Sequence, residues 1–165
     1  MAADEALLRY EAGLTSIWYE KGKYPEIKVT REKRAKSFYG ALDLKTGREY
    51  LHVCNWQDSH QTVKFLKKIR RKNPGSKILI LWDGASHHKG EVREYLKQEH
   101  QRYPWLELKL FPPYSPKLNP QEKVWKEARK GVNHNHEDDF EVLVCRFHNF
   151  LTKRRFKSNF LDKYR

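Results

Sequence analysis

Apolar residues recur along this chain at two spacings, and each change of spacing marks an element. Residues 5 to 10 carry Leu7, Leu8 and Tyr10 and suit a strand. Residues 36 to 44 and 48 to 54 read as a β-hairpin. Phe38, Tyr39, Ala41 and Leu42 lead into Asp43-Leu-Lys-Thr-Gly47, a turn closed by glycine, and Tyr50, Leu51 and Val53 follow. From 59 to 72 the spacing becomes three, at Val63, Leu66 and Ile69, which predicts a helix stopped by Pro74-Gly75. Residues 77 to 82 are a continuous apolar run, the pattern of a strand covered on both faces. A polar helix is expected at about 88 to 101 and a strand at 106 to 111, closed by Pro112 and Pro113. Helices follow at 120 to 133 and 138 to 153. The last has Phe140, Leu143, Val144, Phe147 and Leu151 along one stripe. A hairpin followed by alternating strands and helices predicts an α/β fold, a mixed sheet with helices packed on it.

Composition narrows this picture. The 165 residues suit one domain, and 38% apolar with 13% aromatic residues is enough for a real core. Thirty-four Lys and Arg against 21 Asp and Glu leave a formal charge of +13, which points to a polyanion such as nucleic acid. Cys54 and Cys145 make no secreted disulfide framework and read as small core residues in a reducing compartment. No apolar run nears the roughly 20 residues that span a bilayer, and Met1-Ala-Ala-Asp-Glu5 is no signal peptide, so a cytoplasmic, nucleoid-associated protein is expected.

Three acids stand where metal ligands would serve. Asp83 ends the apolar run, where a carboxylate faces the crevice outside a strand's carboxyl end; Asp83-Gly84 is also a common turn pair. Glu122 follows Asn119 and Pro120 in a capping-box pattern, so it either closes a helix start or points from the helix end toward a metal. Asp4, beside Glu5 and ahead of a strand, is locally the weakest of the three, and one of this pair can point inward. Asp43 is a rival with a turn to make. Three carboxylates matter because two Mg²⁺ ions roughly 3.5–4 Å apart can bind both oxygens of an in-line phosphodiester displacement. Such ions favour carboxylates and keep open positions for substrate phosphate. No Cys-x-x-Cys pair supports zinc, and no glycine-rich phosphate loop appears. Of the basic clusters, those on 64–72 and 153–157 read as a solvated helix face and a tail whose aromatics pack on the domain. Lys123, Lys126, Arg129 and Lys130, next to Glu122, are better placed to hold DNA.

The string from Phe111 to Trp125, holding Leu118-Asn-Pro-Gln-Glu122, resembles the third-acid signature of the DDE transposases of bacterial insertion sequences, in the branch related to mariner elements. Trp82-Asp83-Gly-Ala-Ser-His-His88 resembles the segment around the second acid. Asp4-Glu5, with Trp18 and Lys21-Gly-Lys23, is similar to the stretch around the first, and Asp43-Leu-Lys-Thr-Gly47 to the family's hairpin. The resemblance implies an RNase H-like five-stranded mixed sheet flanked by helices, spanning 1–165. It implies a catalytic triad of Asp4, Asp83 and Glu122 holding two Mg²⁺ or Mn²⁺ ions, with His88 and Asn119 beside the nucleic acid. The implied chemistry is DNA cleavage at element ends and joining of 3′-hydroxyls to target DNA, by a homodimer. The family's helix-turn-helix is not in these 165 residues, and only three residues precede Asp4 where an apolar run leads in. The first strand is therefore expected to be cut short, and end recognition to come from a separate helix-turn-helix subunit or reading-frame partner. A non-catalytic DNA-binding remnant or regulator, and another RNase H-like nuclease, are the rival functions.

Overall fold

Strand β1 (Ala2–Arg9) lies at the centre of the molecule, between β2 (Ala35–Leu42) and β4 (Ile78–Trp82). The computed structural model describes residues 1–10, 18–23, 32–83, 90–102, 104–112, 115, 118–132, 139–158 and 160. With β3 (Glu49–Cys54) and β5 (Leu106–Leu110) the strands form one sheet ordered β3-β2-β1-β4-β5. The first three strands pair antiparallel, and β1/β4 and β4/β5 pair parallel. The helices are α1 (Ser59–Lys72), α2 (Glu91–His100), α3 (Pro120–Gly131) and α4 (Phe140–Lys153). This is the predicted order of elements. No helix among the described residues is long and apolar enough to cross a membrane.

Strand alternation divides the core in two. Ala3, Tyr39, Ala41 and Tyr50 face α1 and α2, where they meet Val63, Phe65, Leu66, Ile69 and Val92. Ala6, Leu8, Phe38, Leu42 and Leu51 face α3 and α4, where they meet Val124, Trp125, Ala128, Phe147 and Leu151. The predicted helical stripes are therefore the buried ones. The hairpin turn is also as read: Asp43 accepts from Lys45 N (3.0 Å) and Thr46 Oγ1 (2.6 Å), and Gly47 takes φ +69°. Phe156 is buried on the α3/α4 side and its amide donates to Gly47 O (2.8 Å), so the tail packs on the domain at Phe156, as expected; Tyr164 lies outside the described residues.

Three expectations are corrected. The first strand starts at Ala2, earlier than residue 5, because Ala2 pairs with both Leu42 and Leu81. The run at 77–82 is fully covered on one face only. Ile78, Ile80 and Trp82 are buried, whereas Leu79 is 41% exposed, because α3 and α4 pack on the β1–β3 half of the sheet. Cys145 is exposed on α4 and is no core residue, whereas half-buried Cys54 packs against the core on the α1/α2 side. The expected helix ends at 88, 133 and 138, and Pro113, lie outside the described residues.

Gly40 of β2 permits the closest approach of helix to sheet. A Cβ there would stand 2.5 Å from both Gln121 Nε2 and a ring carbon of Trp125, and would also collide with Glu49 Oε1. Gly40→Ala is expected to lower unfolding free energy by about 1–3 kcal/mol through overpacking. A urea midpoint equal to that of the parent would show that α3 sits farther from the sheet.

Candidate active site

β1 and β4 meet in parallel at Ala2 and Leu81, so Asp4 and Asp83, each two residues farther on, come side by side. The junction is short but anchored: the Met1 ammonium donates to Leu79 O (2.7 Å), and Leu81 N donates to Met1 O (2.9 Å). β4 ends at Trp82 while β1 runs on to Arg9, so among the described residues no strand lines the β4-side edge of β1 beyond this point, leaving a notch. Asp4 and Glu5 leave opposite faces of the strand. At this notch both turn toward Asp83, and one carboxylate oxygen from each of Asp4, Glu5 and Asp83 lies within 4.8 Å of the others. The Trp82 indole Nε1–H donates to Glu5 Oε2 (3.1 Å), steadying that carboxylate from the buried side.

Helix α3 brings the third acid. Asn119 is its N-cap, accepting from Gln121 N (3.1 Å), while its own Nδ2 donates to Ala3 O (3.1 Å) one residue before Asp4. The start of α3 is thereby tied to β1. Glu122 is exposed on the first turn, and no hydrogen bond among the described residues holds its carboxylate. It lies outside the 4.8 Å group, yet its charge is the strongest neighbouring charge acting on Asp4. Capping is thus done by Asn119, and Glu122 stands near enough for its charge to act on Asp4.

Burial, then the negative charges of Glu122, Glu5 and Asp83, push the Asp4 carboxyl up to about 7. A carboxyl so crowded by like charges is poised to bind a cation in place of its proton. The donor set is all carboxylate oxygen, which fits a hard divalent ion such as Mg²⁺ or Mn²⁺. Asp4, Glu5 and Asp83 would hold it, with Glu122 at the margin.

The other expected site residues separate. Lys123, Lys126, Arg129 and Lys130 are exposed on α3, away from buried Val124, Trp125 and Ala128. Asn119 is buried, with its amide committed to the cap and to β1. His88 lies outside the described residues. Sequence reasoning missed Glu5 as a member of the acid group. The signal was the Asp-Glu pair itself, but strand alternation argues for only one inward carboxylate, and the notch overrides that rule.

This sheet order, with helices on both faces and acids on β1, just past the end of β4 and on α3, defines the RNase H-like class of folds. A family model described as DDE superfamily endonuclease matches residues 1–143, and the chain belongs to that family. Compared with curated protein sequences, it has no significant match. Among solved structures it is similar to the Mos1 mariner paired-end complex with Mn (TM-score 0.70, 15% identity, 93% of this chain and 48% of that one). It is also similar to a pre-cleavage Mos1 transpososome (TM-score 0.69, 14% identity, 93% and 48%). The catalytic core domain of BIV integrase aligns as well (TM-score 0.51, 12% identity, 78% and 88%). The chain thus spans about half the length of the Mos1 chains it matches.

Proposed function

We propose that this chain is the catalytic domain of a transposase that cuts DNA and transfers its strands. The observation that supports this most is the convergence of Asp4, Asp83 and Glu5 at one notch, with Glu122 acting on Asp4 from α3, in a member of the DDE endonuclease family. In this reading Asp4, Asp83 and Glu122 would hold two Mg²⁺ or Mn²⁺ ions, with Glu5 beside them. When bound, such ions lower the pKa of an attacking water or 3′-hydroxyl and stabilise the leaving oxygen. The chain's own contribution is placement. β1 and β4 fix Asp4 and Asp83 on a rigid support, and the Asn119 cap sets the start of α3. The exposed Lys123, Lys126, Arg129 and Lys130 hold the phosphate backbone of double-stranded DNA, both element end and target. Action as a homodimer near the nucleoid in the cytoplasm, with end recognition by a helix-turn-helix segment or subunit, belongs to the same proposal.

A plasmid assay tests it. Mn²⁺ or Mg²⁺ should produce nicks, and EDTA should abolish them. Lys126→Ala with Lys130→Ala should raise the DNA concentration needed and flatten the salt dependence. DNA binding unaffected by EDTA, without cleavage under any divalent ion, would instead identify a non-catalytic binding module. Preference for RNA–DNA hybrid over duplex would identify a different nuclease of this fold.

A further inference from the structure

Glu49 is a buried carboxyl that the chemistry above does not use. It opens β3, two residues before Leu51, which pairs with Gly40; Gly40 in turn pairs with Asp4 on β1. Its side chain is enclosed, and its Oε1 accepts from Gln121 Nε2 at 2.7 Å. No salt bridge to Glu49 is found among the described residues, and burial raises its carboxyl well above the ordinary value. Glu49 Oε2 and Gln121 Oε1 are both buried without a hydrogen-bond partner. These two atoms are complementary if Oε2 carries a proton. An acid and an amide set edge to edge then share two hydrogen bonds, N–H to carbonyl one way and O–H to carbonyl the other.

We propose that Glu49 is a positioning residue: as a neutral acid it closes a two-hydrogen-bond latch with Gln121, which pins the first turn of α3 to the sheet and aims Glu122 at Asp4. Gly40 makes the latch possible, because only a residue without Cβ leaves room for Glu49, Gln121 and Trp125 together. Gln121 is the residue before Glu122, so loosening it moves the third acid directly. A second tie, Asn119 to Ala3, holds the helix start to β1; the latch holds it to β3. Two ties on different strands leave the turn little freedom to rotate.

The aiming part of this proposal rests on Glu122 being a metal ligand; the latch itself does not. Two measurements separate them. Infrared difference spectroscopy of parent minus Glu49→Gln at neutral pH should show the carbonyl stretch of a protonated carboxylic acid. A carboxylate band in its place overturns the latch whatever Glu122 does. Mn²⁺ titration is the second measurement. Glu49→Gln, which can make the same paired bonds, should bind Mn²⁺ within about twofold of the parent, and Glu49→Leu about tenfold more weakly. Leu106→Val, a core change on the opposite face of the sheet, supplies a variant of lowered melting temperature with unchanged Mn²⁺ affinity. If Glu49→Leu follows that control, Glu49 is merely structural and the proposal fails. If Glu122→Gln binds Mn²⁺ like the parent while the infrared band is present, the latch stands and Glu122's assignment to the metal falls.

Discussion

Asp83→Asn is expected to abolish metal-dependent nicking, by about 10³-fold or more, while leaving the fold intact. Losing one charged ligand removes several kcal/mol of transition-state stabilisation, and each 1.4 kcal/mol is about tenfold in rate. The substitution is nearly isosteric on an exposed residue at a strand end, so packing is unchanged. It also removes one of the negative charges acting on Asp4, so the metal-free variant should melt no lower than the parent. Full loss of nicking with an equal or higher melting temperature is therefore the signature of a metal ligand. Equal cleavage by variant and parent would expose a contaminating nuclease and end the assignment.

Metal binding should weaken about tenfold for each pH unit below about 7. The Asp4 carboxyl is raised from an ordinary 3.8 to about 7 by burial first and by its acidic neighbours next. Binding a cation there displaces the proton, and below pH 7 that displacement costs free energy in proportion to pH. Stability of the metal-free protein runs in a definite direction too. Between pH 4 and 7 the folded protein binds more protons at Asp4 than the unfolded chain does. Its stability therefore falls as pH rises across that window, by about 4 kcal/mol at most, and this group adds no further change above it. Saturating Mn²⁺ should remove Asp4's share of the fall. Asp4→Asn should lose that share and the metal effect, keeping only the share of buried Glu49, whose carboxyl is also raised. Urea midpoints at pH 5 and 8, with and without Mn²⁺, check both. A parent protein more stable without metal at pH 8 than at pH 5 would contradict the crowding of carboxylates at this site.

The elements were legible because their signals are local. Val63, Leu66 and Ile69 at spacing three, and Phe140 through Leu151 along one stripe, bury those faces wherever the helices dock. Asn119-Pro120 starts α3, as capping chemistry requires. Asp43 makes its turn through its own neighbours. The acids were legible as candidates for a similar reason: Asp83 ends an apolar run, and Glu122 sits on a capped first turn. Their resemblance to a known family supplied what the spacing lacks, since residues 4, 83 and 122 are far apart in the chain.

Other features depend on contacts between distant segments. Leu79 looks like a core residue of a doubly covered strand, yet it is exposed, because helix placement is decided by the whole sheet. Glu5 joins Asp4 because β4 ends early beside β1, a matter of strand register. Glu49 reads as an ordinary hairpin residue, but Gln121, 72 residues on, encloses it against Gly40 of the same hairpin.

Periodicity, caps and turns depend on a few neighbouring residues, so the order of strands and helices, and the residue types able to bind metal, were written in the one-dimensional string. Which carboxylates share a space, which are buried, and how strongly they repel depend on distances between β1, β4 and α3. Only packing sets those distances, since electrostatic and hydrogen-bonding energies follow separation in space, not along the chain.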